Sequence, residues 1–260
     1  MESRNPVFNR SDAFSKRGYA TFNETTAAAS TGQLEEMYNA PTATGVQTGR
    51  MTMDDVVIKT GLMFAVLVPL AALNFYLQSP LLTWGGMIAG LVVSFKQSTN
   101  PALILSYAAA EGLFIGGISR AFEDRWPGIV ATAVVATMCV FAVTLVAYTS
   151  GTVRATPKFK RTVLIAMGGY LVFCLVNLVV MLFGGGGDFG LRSGWFGVAI
   201  SLVAVGLAAA MLILDFDFAE QGVKNGLPER YSWLAAFGLV VTLVWLYVEM
   251  LRLIAILRGD

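Results

Sequence analysis

Four carboxylates stand inside, or at the edge of, long apolar runs in this sequence: Glu111, Asp215, Asp217 and Glu249. A charged carboxylate costs about 2.5–3.5 kcal/mol at the centre of a helix in lipid, so it normally faces a bundle interior or a watery cavity and marks a route for ions or protons. Carboxylate oxygens are what a hard cation such as calcium binds, and protons compete for the same oxygens. The 260 residues include no histidine, which removes histidine general bases, Ser/His/Asp and Cys/His nucleophiles and His-ligated zinc. Cys139 and Cys174 lie in apolar runs and read as small buried hydrophobes, not as a disulfide pair. Acids without histidine point to passage of a cation, so neither enzyme activity nor a cofactor is expected. Two plainer readings stand beside this one. Glu249 can pair with Arg252, three residues on in the same helix, and Asp215 and Asp217 can simply be wet at a helix end.

The elements that hold these acids follow from composition. Hydrophobic residues make up 56% of the chain and charged residues 13%, the latter about half the usual globular share. Such a chain cannot coat a water-soluble sphere, and a lipid bilayer is its expected first partner. Lys and Arg total 18 against 17 Asp and Glu, a net of +1, which argues against nucleic acid. Seven apolar blocks follow one another at 56–77, 79–95, 102–119, 129–148, 163–183, 195–217 and 233–257, to be measured against the about 20 residues a helix needs to cross. They lack the alternation of a membrane barrel. The predicted fold is all-α, a polytopic membrane protein whose residues 56–260 form a seven-transmembrane-helix bundle. The second block is short, and its boundary rests on Ser79-Pro80, where proline begins a helix but does not continue one. Six crossings, with the first two blocks as a re-entrant hairpin, is the alternative.

Residues 1–55 are rich in Ala, Thr, Ser, Asn and Gly and contain no apolar run. They are expected to form a disordered cytoplasmic tail and not a signal peptide, with short ordered pieces near residues 5–8 or 51–55. Orientation follows the basic residues of short loops. Seven spans gather the tail, Lys96, Arg154, Lys158, Lys160, Arg161, Lys224 and Arg230 on one side, against Arg120, Arg125, Arg192 and Arg258, with Arg252 near them, on the other. The larger set places the amino terminus in the cytoplasm and the carboxyl terminus outside, with residues 184–187 as a flexible outer loop. At about 1.5 Å per residue, Glu111 lies about 15 Å along its helix, near the midplane, and Glu249 about 24 Å along the last one. Asp215 is expected near the inner interface, so the acids make a ladder of three levels. Gly86 with Gly90 and Gly112 with Gly116 are small-xxx-small pairs that allow close helix approach, the second beginning directly after Glu111.

Several of these segments together resemble the Bax inhibitor family, the transmembrane BAX inhibitor motif proteins. The stretch YAAAEGLFIGGIS at 107–119 is similar to that family's glycine-bearing third helix, and AYTSGTVR at 147–154 to the polar exit of its fourth. LILDFD at 212–217 resembles its sixth-helix aspartate motif, and LYVEMLRL at 246–253 its last-helix acidic motif. The polar tail with NPVFNR at 5–10 looks like a bacterial branch. The resemblance covers residues 56–258. It implies a seven-helix bundle with the last helix central, in a bacterial cell membrane, acting as a pH-sensitive calcium leak. It also implies a gate made of one acid on the sixth helix and one on the seventh, here Asp215 and Glu249, with calcium as permeant ion and transient ligand. The chain carries Glu where the family has Asp on the last helix, and a longer loop, 219–232, between the two acids. The depth argument leaves Glu111 as the other candidate partner for Glu249. Family members also serve as regulators, so the alternative is a non-conducting protein that binds a membrane protease or a stress or cell-death partner.

Overall fold

The computed structural model describes residues 49–96, 98–184 and 189–259. Most of the polar tail, residues 1–48, and residues 185–187 of the glycine loop lie outside the described residues. Among the described residues seven helices follow in order: α1 Met53–Leu77, α2 Pro80–Ser94, α3 Pro101–Arg125, α4 Ile129–Thr149, α5 Pro157–Leu182, α6 Gly194–Lys224 and α7 Tyr231–Gly259. All but α2 are long and apolar enough to cross a membrane, and α2 is a shorter apolar helix. The chain is an all-α integral membrane protein.

Local chemistry sets the helix starts. Thr52 caps α1 in a reciprocal box, its Oγ1 accepting from the Asp55 N–H at 3.1 Å while the Asp55 carboxylate accepts from the Thr52 N–H at 2.9 Å. Helices α2, α3 and α5 each open on a polar cap followed by proline: Ser79-Pro80, Asn100-Pro101 and Thr156-Pro157. Proline suits the first helical position because its missing N–H would have no partner there. Several helices outrun the apolar blocks. α1 begins at Met53, inside the segment expected as tail. α3 continues to Arg125, α5 starts at Pro157 and α6 runs on to Lys224. An apolar block measures hydrocarbon thickness, whereas a helix persists wherever its backbone bonds close within the segment. The expected loop at 219–232 is therefore mostly helix, and the α6–α7 connection is only residues 225–230.

Glycines fix the first three helices against one another. A Cβ at Gly112 would stand 2.5 Å from the Leu67 carbonyl oxygen, and one at Gly116 would stand 2.2 Å from that of Ala71. Positions 112 and 116 thus track 67 and 71, so α1 and α3 run parallel. A Cβ at Gly86 would meet the Ala110 oxygen at 2.5 Å, and one at Gly90 would meet Glu111 Oε2 at 3.1 Å. Thr83 faces Gly117, Gly86 faces the backbone of Ala110 and Phe114, and Gly90 faces Tyr107, so the register descends and α2 runs antiparallel to α3 as the return stroke between two parallel helices. Helix α1 is by itself long and apolar enough to cross, which disfavours the hairpin alternative. Asn74, with no exposed surface, ties all three together. Its Nδ2 donates to Thr83 Oγ1 at 2.9 Å and to the Leu113 carbonyl at 2.7 Å, and its Oδ1 accepts from the Ser79 N–H at 3.3 Å.

Helix α7 is the centre of the bundle. In its most apolar stretch 67% of the residues are buried, against 11% for α5. One face packs Leu239, Leu243, Leu246 and Met250 against α4 and α6, and another packs Ala236, Val240 and Val244 against α1 and α3. At the end where α1 begins, the chain before α1 is stitched to the α6–α7 connection. The Met51 N–H donates to the Leu227 carbonyl at 2.8 Å, and the Glu229 N–H donates to that of Gly49 at 2.9 Å. Lys59, 8% exposed on α1, donates to Glu229 Oε1 at 2.8 Å and to Ser232 Oγ at 2.6 Å.

Candidate functional site

Glu249 is 2% exposed on the most buried helix, and it is surrounded by cations rather than acids. Arg192 Nη2 donates to its Oε2 at 2.6 Å and Nη1 approaches Oε1 at 3.4 Å. Arg252, one turn on along α7, donates to Oε1 at 2.7 Å. The Tyr170 hydroxyl on α5 donates to the same oxygen and accepts from Arg192 Nη1 at 2.9 Å. Tyr170 is itself held by Trp245, whose ring centroid lies 5.6 Å away. Ser201 Oγ on α6 lies 3.4 Å from Arg192 Nη2. Arg192, Tyr170 and Arg252 thus converge on one carboxylate, with Ser201 behind the arginine.

Arg192 was expected among the exposed basic residues of an outer loop. It is 2% exposed instead. The backbone around it explains why. Gly190 and Gly194 adopt φ of 65° and 57°, a left-handed region that side-chain-bearing residues rarely enter, and they turn the connection back toward the bundle. Asn177 on α5 grips that turn, accepting from the Leu191 N–H at 2.7 Å and donating to the Phe189 carbonyl at 3.3 Å. On the α6 side, a Cβ at Gly197 would stand only 2.2 Å from the Arg192 carbonyl oxygen. Burial by itself would lower the pKa of this guanidinium, but the hydrogen bond and charge of Glu249, joined by Tyr170, raise it above its ordinary value.

The pairing of Asp215 with Glu249 does not form. Asp215 Oδ2 accepts from Thr242 Oγ1 at 2.6 Å, and its Oδ1 faces Gly238, where a Cβ would come within 3.1 Å. Thr242 precedes Glu249 by two turns of α7, about 10 Å along the axis. Nor does Glu111 reach Glu249. Its Oε2 lies against Gly90 of α2, and its interacting neighbour is Tyr107, one turn earlier on α3. Tyr107 packs edge-on to Phe237 at 4.8 Å, and Ser119 shares a 2.7 Å hydrogen bond with Tyr247, so α3 and α7 run parallel. That register brings Glu111 to about the level of Thr242, and hence of Asp215. The acids therefore occupy two levels along α7, not three. Asp215 lies deeper than expected because α6 continues nine residues beyond it. Asp217, 8% exposed, receives Lys160 of α5 at 2.5 Å. Among the described residues no group of three or more Cys, Asp and Glu could hold a metal ion.

Sequence reasoning missed Arg192, Tyr170, Lys59 and Asn74. The last two carried a signal, since each is a polar residue inside an apolar block. Arg192 carried a weaker one in its flanking glycines.

The model of a protein family described as Bax inhibitor 1 like matches residues 5–259 of this chain. No curated protein and no solved structure matches it.

Proposed function

This chain belongs to the Bax inhibitor 1 like family, and from that premise we propose that it is a cation leak, with calcium as the permeant ion, whose conduction responds to protonation of carboxylates beside α7. The observation that carries the reading is Glu249, a carboxylate 2% exposed on the central helix of a membrane bundle. Asp215 on α6 and Glu111 on α3 stand at a level about two turns of α7 away. Each such acid costs a few kcal/mol in a low-dielectric interior, and packing alone would be served as well by hydrocarbon. Acids kept there at that cost are best accounted for by an ion that passes them.

The three acids differ in what faces them. Glu249 faces Arg192 from the α5–α6 connection, Arg252 from its own helix and Tyr170 from α5. Asp215 faces Thr242 from α7, and Glu111 faces Tyr107 on α3 and the Gly90 backbone of α2. We assign the proton response to Asp215 and Glu111, which meet hydroxyls, and the role of cation ligand to Glu249. Asp217 with Lys160 stands toward one mouth of the path. The chain is read as a transport protein without a cofactor, in a bacterial cell membrane with its amino terminus cytoplasmic. The exposed Arg154, Lys158 and Arg161 on the α4–α5 connection and the start of α5 support that orientation.

The test is calcium influx into proteoliposomes holding only the purified protein, measured across pH. Glu249→Gln should lower influx at every pH, whereas Asp215→Asn and Glu111→Gln should flatten the pH profile. If the unaltered protein passes no calcium at any pH, the leak reading fails. A non-conducting regulator of a membrane protease or a stress or cell-death partner then replaces it.

A further inference from the structure

We infer that Arg192 is a tethered cation that occupies the Glu249 carboxylate and competes there with the permeant ion, so that the guanidinium of Arg192, just ahead of α6, closes the path. The inference rests on the leak reading and names the gate of that same site. The fixed and the exchangeable partner can be told apart. Glu249 belongs to α7, the most buried helix, and both of its oxygens are engaged. Arg192 lies between Gly190 and Gly194, two glycines with positive φ, just ahead of α6. Tyr170, which props it, belongs to α5, the least buried span. The guanidinium is also the less satisfied of the two, because its buried Nε finds no acceptor among the described residues. A buried donor left unpaired carries a desolvation cost, so the arginine fits this seat less well than the carboxylate does.

Charge completes the argument. One carboxylate lies between two guanidiniums, from Arg192 and Arg252, and a further cation arriving there would be repelled. With Arg192 withdrawn, Arg252 still holds Glu249 Oε1, but Oε2 is freed beside the hydroxyls of Tyr170 and Ser201, and such oxygens are what a hard cation binds. Arg252 is the more exposed of the two arginines, at 24% against 3% for the side chains, and it approaches from the outer side along α7. The site is therefore closed by an arginine in place of the ion.

The experiment compares the parent with Arg192→Gln, Arg192→Lys and the double variant Arg192→Gln/Glu249→Gln by two readouts. These are calcium influx into proteoliposomes at fixed pH, and thermal unfolding in detergent with and without millimolar calcium. Arg192→Gln should raise influx about tenfold or more, the factor expected for removing one charge-assisted contact, and calcium should raise its melting temperature. The double variant should lose both gains. Lysine keeps the charge without the two-pronged fork, so Arg192→Lys should fall between parent and Gln in both readouts. If Arg192→Gln does not fold, the lysine variant decides, and identity with the parent in both readouts overturns the inference. An unchanged influx with calcium-insensitive melting in Arg192→Gln overturns it too, as does a double variant that keeps the gain. If no variant conducts, yet calcium stabilises Arg192→Gln alone, the competition stands and the leak reading fails.

Discussion

Replacing Gly116 by alanine should destabilise the protein measurably, although alanine is the better helix former. The added Cβ would lie 2.2 Å from the Ala71 carbonyl oxygen and 2.9 Å from its carbonyl carbon. An ordinary carbon–oxygen contact is about 3.3 Å, so α1 and α3 must part by about 1 Å at this level. The obstacle is backbone and cannot rotate aside. One turn earlier a Cβ at Gly112 would stand 2.5 Å from the Leu67 oxygen, so the opening spreads along the seam, and a gap of that size forfeits a quarter to a half of each contact's attraction. Overpacking of this kind costs about 3 kcal/mol at the upper end of its usual range. Alanine returns about 1 kcal/mol of helix propensity, leaving a net loss of about 2 kcal/mol. For a domain of this size that lowers the melting temperature by about 4–8 °C. Gly85→Ala is the control, since a Cβ there meets nothing within 4 Å, and it should melt at or slightly above the parent. Thermal unfolding in one detergent decides the matter. A Gly116→Ala variant that melts with or above Gly85→Ala refutes the argument that backbone approach holds α1 to α3.

Asn74→Ala, which removes the tie among α1, α2 and α3, should cost about 2 kcal/mol, read as a lower melting temperature. Lys59→Met should change stability by less than about 1 kcal/mol, because a hydrocarbon of similar length can replace a buried charge, while Glu229→Leu should cost about 1.5–3 kcal/mol by removing a charge-assisted bond from the lysine. Equal melting of those two variants would contradict that asymmetry. Topology reporters at the amino terminus and within residues 154–161, with α1 to α4 between them, should report the same side of the membrane, and one after Asp260 the other side. Opposite sides for the first two would remove the return stroke assigned to α2.

Much of the fold was legible because apolar length is a direct record of hydrocarbon thickness. What hydropathy could not supply was where helices end, and the polar continuations of α3, α5 and α6 were read as loop for that reason. The pair Thr156-Pro157 carries the same start signal as Ser79-Pro80 and would have corrected the start of α5. At the site, the acids announced themselves by being charged in apolar company. Their partners did not. Arg192 is 57 residues from Glu249, and nothing in the spacing of either reveals that a glycine-bounded turn folds the arginine inward. Its charge counted toward topology, where an exposed and a buried arginine look alike. Tyr170 was hidden for the opposite reason, since a tyrosine in an apolar block attracts no notice until its hydroxyl is seen to face a carboxylate. The level of Asp215 was misjudged because depth was measured from the end of an apolar block and not from the end of its helix.

The clasp between Lys59 and Glu229 spans 170 residues of sequence, and this sets an order on biosynthesis. A ribosome delivers α1 first and the α6–α7 connection near the end, so at about 5–20 residues per second the lysine waits on the order of 10–30 s for its acid. During that interval α1 has been handed to the bilayer with a cation inside its first turns, a placement that costs about 2.5–3.5 kcal/mol unless the side chain reaches toward the headgroups. Lys59 lies only two turns from the start of α1, within that reach. The nascent helix can therefore park its charge at the membrane surface and take it inward only when α7 arrives, which makes the last helix to emerge the one that seats the first.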